Sequence, residues 1–210
     1  MASTIRHLEG IGRTDIPVFA GNNKPARPGR IENIKAEKKL WGRGHDSHLG
    51  AAGYPQPASW QETYRERYNS EPTVEPKAED PSDFIIRTIK ENPHKVTIVG
   101  IGTGGNIAKA LEKDPSIAPL AKEIVYMAGA FLQFENYIWD VLAASYVLDP
   151  SIVTEEVFMP VDVNDTYSLS YGETLAFAGP GPEGSQKAHI VQKINRKKVW
   201  KIVTDTFDKL

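Results

Sequence analysis

The sequence contains no cysteine among its 210 residues, which excludes disulfides, thiolate metal sites and cysteine nucleophiles. No apolar run is long enough to cross a bilayer. Near the start, Arg6, His7, Glu9 and Arg13 interrupt the apolar core that a signal peptide needs. These absences predict a cytoplasmic protein with no membrane partner.

An excess of charge of one sign is also missing. The chain has 25 Lys and Arg against 27 Asp and Glu, so no overall field attracts nucleic acid and no nucleic-acid partner is expected. Length and composition predict one domain over residues 1–210. Residues 26–80 are rich in Gly, Pro and charge without apolar periodicity, which predicts a long irregular insertion at about 26–80.

The remaining sequence alternates predicted helices with predicted strands. Apolar runs predict strands at Val96–Val99 and Ile124–Met127. One helix, capped by Ser82 or Asp83, precedes the first strand, and a helix over Asn106–Lys113 separates the two. A strand at 16–20, a helix around Trp139, and then strands and a last helix complete the pattern. This rhythm predicts an α/β fold with a mostly parallel open sheet flanked by helices.

A literal G-x-G-x-x-G occurs in the stretch VTIVGIGTGGNIAKAL, at Gly100, Gly102 and Gly105. Dinucleotide-binding folds use this pattern, but their second strand ends in an acid that holds the ribose. Here Glu123, the only acid of the second strand, stands at its beginning. Two interpretations stay open. Either the glycines close a strand-to-helix turn with Asn106 as the helix cap, or they form a ligand site at the carboxyl edge of the sheet.

Two further groups of residues have the chemistry of a metal site. Asp140 lies on the first turn of an apolar helix, where a carboxylate complements the helix dipole or binds a hard cation together with carbonyl oxygens. His45 and His48 have a spacing that suits a transition metal. No helix or third ligand accompanies the histidines, so a polar loop is the favoured interpretation.

Four segments resemble the inosine-uridine-preferring nucleoside hydrolase family. They are GRTDIPVFAGNNKP, KVTIVGIGTGGNIAKALEKDPSIAPLAKEIVYMAGAF, WDVLAASYVLDPS and VFMPVDVNDTYSLSYGETLAF. The resemblance implies a Ca²⁺-dependent N-ribohydrolase that cleaves small-molecule ribonucleosides to base and ribose. A homo-oligomer is a further expectation.

The resemblance also implies roles for individual residues. Asp140 and the Gly105 carbonyl correspond to metal ligands. The positions implied for substrate binding are Asn106, Trp139, Glu135 and Asn136. Trp139 stands where some family members have a histidine that acts as an acid.

Two family segments have no counterpart in this sequence. The N-terminal D-x-D-x-x-x-D-D motif, which carries the general base and further carboxylate ligands, is absent, so no catalytic base is assigned. The region after MAGAF is also shortened. We therefore expect a truncated nucleoside hydrolase-like chain. The alternatives are an inactive remnant that binds a ligand or a partner protein, and a dinucleotide-binding α/β protein.

Overall fold

A computed structural model describes residues 1–22, 30–42, 58–128, 139–164, 166 and 173–209. Its helices are α1 (Ala2–Gly10), α2 (Arg30–Trp41), α3 (Trp60–Tyr68), α4 (Pro81–Glu91), α5 (Gly105–Lys113), α6 (Trp139–Leu148) and α7 (Arg196–Phe207). Its strands are β1 (Thr97–Gly100), β2 (Glu123–Tyr126), β3 (Val153–Val163), β4 (Thr174–Ala176) and β5 (Gln186–Ile194). Within these ranges, no helix has the length and apolar character that a membrane span requires.

The strands form two sheets. β1 and β2 are parallel, from Thr97 opposite Glu123 to Gly100 opposite Tyr126, and α5 lies between them in the chain. The second sheet has three antiparallel strands in the order β4-β3-β5. The predicted α/β fold with a parallel sheet and flanking helices is confirmed, and both parallel strands lie within one residue of their predicted positions.

The chain divides into two compact units. The first comprises Met1–Lys95 and Gly104–Leu120, and the second comprises Val96–Thr103 and Ala121–Leu210. The single domain over residues 1–210 stays a prediction, as does the insertion at 26–80. Residues 26–80 contain two helices, α2 and α3, which the weak apolar pattern of this range does not predict.

One core cluster of the first unit lies where α1 packs against α3. Ile5 and Tyr64 are fully buried there, beside Ala2 and Val18. Helix α3 begins at Ser59, whose hydroxyl oxygen accepts a hydrogen bond from the Glu62 amide at 3.1 Å. Because Trp60, Tyr64 and Tyr68 recur every four residues, their aromatic rings share one face of the helix and reach the core together.

A carboxylate joins this core to the chain beyond α3. Glu9 accepts hydrogen bonds from the Tyr64 hydroxyl, from the Thr73 amide at 2.5 Å and from the Thr73 hydroxyl at 2.8 Å. Partial burial raises the pKa of Glu9, but bonds from Tyr64, Thr73 and Val74 outweigh it and hold the pKa below its usual value. The network therefore stabilises the ionised carboxylate.

The prediction of a strand at 16–20 is wrong, because these residues do not pair with a neighbouring strand along their length. In the structure this segment forms one isolated parallel bridge, between Phe19 and Lys77. The Lys77 amide donates to the Val18 carbonyl at 2.8 Å. Pro17 has no amide hydrogen to donate, which removes one bond that a longer ladder would use.

Asp80 both starts α4 and connects it to α5. One oxygen of Asp80 accepts the Ser82 amide at 2.9 Å, and the other accepts the Lys109 ammonium at 2.5 Å. Lys109 first, and Ser82 next, hold the pKa of Asp80 well below its ordinary range. The predicted cap at Ser82 or Asp83 is thus wrong by two or three residues. Pro81 takes the first helical position, which needs no amide donor.

In the second unit, α6 contacts β2 and α7. Ile152 and Val199 are buried there. Asn195 caps α7 by accepting the Lys198 amide at 3.2 Å, and the Lys198 ammonium donates to the Ser151 hydroxyl at 2.8 Å. The predicted late helix and the strand-then-helix end of the chain are confirmed.

Candidate functional site

The glycine turn follows β1, which ends at Gly100, and leads into α5, which begins at Gly105. Gly104 occupies the cap position with a φ of 74°, and no side chain caps the helix. That left-handed backbone strongly favours glycine. The prediction of Asn106 as the cap is wrong, because Gly104 turns the chain and Asn106 lies inside the first helical turn.

Gly100 leaves room for an aromatic ring of the neighbouring strand. A Cβ at Gly100 would lie 2.3 Å from Cε2 of Tyr126. The Tyr126 hydroxyl donates to the Gly102 carbonyl at 3.0 Å, and burial raises the pKa of this tyrosine. The absence of a side chain at Gly100, the first glycine of the motif, therefore allows the Tyr126 ring to pack against the backbone.

This packing disfavours the dinucleotide interpretation. The Tyr126 side chain lies against the turn where a pyrophosphate would need close approach to the backbone. Glu123 stands at the first position of β2 and accepts a hydrogen bond from the Thr97 hydroxyl at 3.0 Å. An acid bonded at the start of the strand is badly placed to hold a ribose at its end.

Asn106 fastens the start of α5 to the segment that follows Phe19. Its side-chain oxygen accepts the Asn22 amide at 2.9 Å. Its side-chain nitrogen lies so near Gly21 that a Cβ there would be 2.8 Å away. Substrate binding by Asn106 stays a prediction. In this structure its amide group positions residues 21 and 22.

Replacing Asn106 with alanine should release the Asn22 amide. The lost acceptor is expected to cost about 0.5–1.5 kcal/mol locally, so hydrogen exchange at the Asn22 amide should accelerate about fivefold. Asn106→Asp keeps an oxygen at the same place and should preserve most of the protection. Equal exchange at Asn22 in the alanine variant and the unmodified protein would contradict this assignment.

A cavity of about 590 Å³ opens beside Asn22 in the first unit. Its lining residues are Met1, Thr4, Leu8, Ile16, Pro17, Val18, Phe19, Gly21 and Asn22. The lining presents both polar and apolar surface, and Thr4 and Asn22 carry its polar side chains. Small-molecule sites commonly have volumes in this range.

Asp140 is the second residue of α6 and is exposed to solvent. No described residue forms a hydrogen bond or an ion pair with its side chain. Trp139 is the first residue of α6, and its side chain lies outside the described part of the structure. Glu135, Asn136, His45 and His48 also lie outside the described residues. The site roles of all these residues stay predictions.

A calcium ion is not accounted for by the described residues alone. Gly105 lies in the first turn of α5, where a helical carbonyl accepts the amide four residues later. Gly105 and Asp140 belong to different compact units. Within the described ranges, no group of three His, Asp or Glu side chains could hold a metal ion. Ca²⁺ takes six to eight oxygen ligands, so the described residues alone do not complete a site for the ion.

Sequence patterns miss two residues that shape the glycine turn. Asn22 reaches Asn106 across 84 positions, and Tyr126 reaches Gly102 across 24. Both residues lie in segments that resemble the family, but no local pattern indicates these long-range contacts. The one signal in the sequence is the glycine at position 100, whose small size leaves space that the Tyr126 ring fills.

Comparison with known proteins gives matches over most of the chain. The family model described as "Inosine-uridine preferring nucleoside hydrolase" matches residues 1–138. An uncharacterized protein of Schizosaccharomyces pombe is 34% identical over 171 residues, 77% of this chain and 47% of the relative. "Probable uridine nucleosidase 2" of Oryza sativa subsp. japonica is 29% identical over 125 residues, 60% of this chain and 31% of the relative. The chain spans less than half the length of these two relatives.

A solved structure has a similar fold. The chain titled "Plant nucleoside hydrolase - PpNRh1 enzyme" is 18% identical, with a TM-score of 0.67. The alignment covers 96% of this chain and 83% of that one. At this identity the likeness concerns the fold alone.

Proposed function

Because this chain belongs to the inosine-uridine preferring nucleoside hydrolase family, we propose that it acts on ribonucleosides and hydrolyses their N-glycosidic bond to free base and ribose. The supporting observation is the family match, which spans residues 1–138 and includes both the glycine turn and the segment held by Asn106. Dependence on Ca²⁺ and preference for inosine or uridine are part of this proposal.

The reaction sets requirements that a site must meet. Breaking the bond between base and ribose passes through an oxocarbenium-like transition state, so a carboxylate near the sugar stabilises the developing positive charge. Asp140 is the carboxylate we propose for this role, because the family resemblance assigns a functional aspartate to this position and its side chain is exposed. The departing base also needs a proton or an environment that tolerates its charge.

The assay is base release from uridine and inosine, followed by chromatography, with calcium and with a chelator. We expect base release above background, reduced by the chelator. Asp140→Asn should lower kcat/KM at least about tenfold, because the lost charge acts on the transition state. Glu183→Gln removes another exposed carboxylate from the same unit and should leave kcat/KM within about twofold. Absence of base release under all conditions would overturn the hydrolase proposal.

A second candidate is nucleoside binding without turnover. The observation in its favour is the cavity of about 590 Å³ beside Asn22, whose lining residues include no carboxylate. Titration calorimetry with uridine separates the two candidates. Heat of binding without base release supports the binding protein, and base release rules it out.

A further inference from the structure

The glycine turn between β1 and α5 has few side chains of its own that could fix its shape. Gly102, Gly104 and Gly105 stand within four consecutive positions, and glycine leaves the backbone more freedom than any other residue. Ile101 is 51% exposed, so its side chain does not anchor the turn in a core. A turn of this composition keeps one shape only where other parts of the chain restrain it.

The end of β2 supplies two such restraints. The Met127 amide donates to the Gly100 carbonyl at 2.8 Å, and the Tyr126 hydroxyl donates to the Gly102 carbonyl at 3.0 Å. The first bond continues the parallel pairing of β1 with β2. The second reaches two residues further along the chain and fixes the carbonyl of a residue inside the turn.

The position of the tyrosine hydroxyl depends on Gly100. Tyr126 stands opposite Gly100 in the parallel register, and its ring occupies the space that a Cβ at position 100 would need. Gly100 is the last residue of β1 and Tyr126 is the last residue of β2. The contact therefore lies at the carboxyl ends of two parallel strands, the edge at which open α/β sheets place their ligand sites.

We propose that Tyr126 is a positioning residue, whose hydroxyl fixes the glycine turn in the shape that receives the nucleoside without touching the substrate itself. The inference rests on the proposed function and names a residue on which that site depends. A turn that is ordered before binding loses less conformational entropy when the ligand arrives. The restraint is the same for bound substrate and for the transition state, so its loss should change KM and leave kcat unchanged.

Tyr126→Phe tests the inference, because it removes the hydroxyl and keeps the ring. In the unmodified protein the amide order parameters of Gly102 and Thr103, measured by nitrogen-15 relaxation, should be about 0.85, and in the variant they should fall to about 0.6. KM for uridine should rise about fivefold, as expected for one lost hydrogen bond, with kcat within about twofold. Unchanged order parameters, an unchanged KM, or a fall in kcat alone would overturn the positioning role.

Tyr146→Phe is the matched control. Tyr146 is half-buried on α6 of the same unit, and no described residue forms a hydrogen bond with its hydroxyl. This variant should keep both the order parameters of the turn and the KM of the unmodified protein. Equal effects of the two substitutions would show a general loss of packing and would overturn the inference.

Titration calorimetry with uridine separates failure of this inference from failure of the proposed function. Binding without base release overturns the hydrolase, and the Kd of Tyr126→Phe then decides the positioning role. A Kd about fivefold above that of the unmodified protein supports the role, and an equal Kd overturns it. A protein that neither binds nor cleaves uridine overturns both proposals.

Discussion

Gly100→Ala is expected to destabilise the protein by about 2–3 kcal/mol, as measured by urea unfolding. The added Cβ would lie 2.3 Å from Cε2 and 2.4 Å from Cδ2 of Tyr126. The Tyr126 ring must then move, which breaks its hydrogen bond to the Gly102 carbonyl. Alternatively the strand must shift, which disturbs the β1–β2 pairing. Both responses lose contacts in a packed region.

Gly102→Ala is the matched control, in the same motif and two residues away. A Cβ at Gly102 meets no atom within 4 Å, and its φ lies outside the left-handed region. Its free energy of unfolding should therefore change by no more than about 0.5 kcal/mol. Truncating Tyr126 to alanine should abolish most of the cost of Gly100→Ala in a double-mutant cycle. Equal effects of the two glycine substitutions would mean that the ring does not fill this space.

Glu9→Ala is the second substitution with a large expected effect, about 2–3 kcal/mol in the free energy of unfolding. It leaves the hydroxyl of fully buried Tyr64 and the Thr73 amide without their acceptor. Glu66→Ala on the exposed face of α3 removes the same group where no described partner depends on it. That control should change stability by less than about 0.5 kcal/mol. A similar loss in both variants would contradict the role given to Glu9.

The Glu9 network should also make stability depend on pH. The folded-state pKa of Glu9 is lowered, so the stabilisation is fully present above the unfolded-state pKa, near the ordinary glutamate value of about 4.3. It is lost as pH falls through the lower folded-state pKa. The difference in urea midpoint between the unmodified protein and Glu9→Gln should therefore be larger at neutral pH than at strongly acidic pH. A difference that does not change with pH would contradict the predicted linkage.

The sequence predicts the parallel part of the fold well, because its signals are local. A short apolar run such as 96–99, enclosed by two helices, has few other solutions in a soluble chain. Helix α3 is not predicted because its apolar face consists of aromatic residues between charged ones, with Arg65 beside Tyr64 and Arg67 beside Tyr68. The pairing of β3 with β4 and β5 cannot be predicted from local sequence patterns either, because the register of a sheet depends on contacts between residues distant in the chain.

The site was less predictable because its geometry depends on distant side chains. The family and the importance of the glycine turn follow from sequence, since the turn residues are contiguous. That Asn106 bonds the Asn22 amide does not follow, because the contact joins residues 84 positions apart. The structural role of Gly100 is equally unpredictable, because it depends on the ring of Tyr126 in the neighbouring strand.

The two contacts of Asp80 couple the local unfolding of α4 to that of α5. The carboxylate that begins α4 also binds Lys109 of α5, 29 residues away. A local event, fraying of the first turn of α4, thus removes a long-range contact at the same time. The two helices should therefore exchange their amide hydrogens as one cooperative unit, with a shared opening free energy rather than two separate ones.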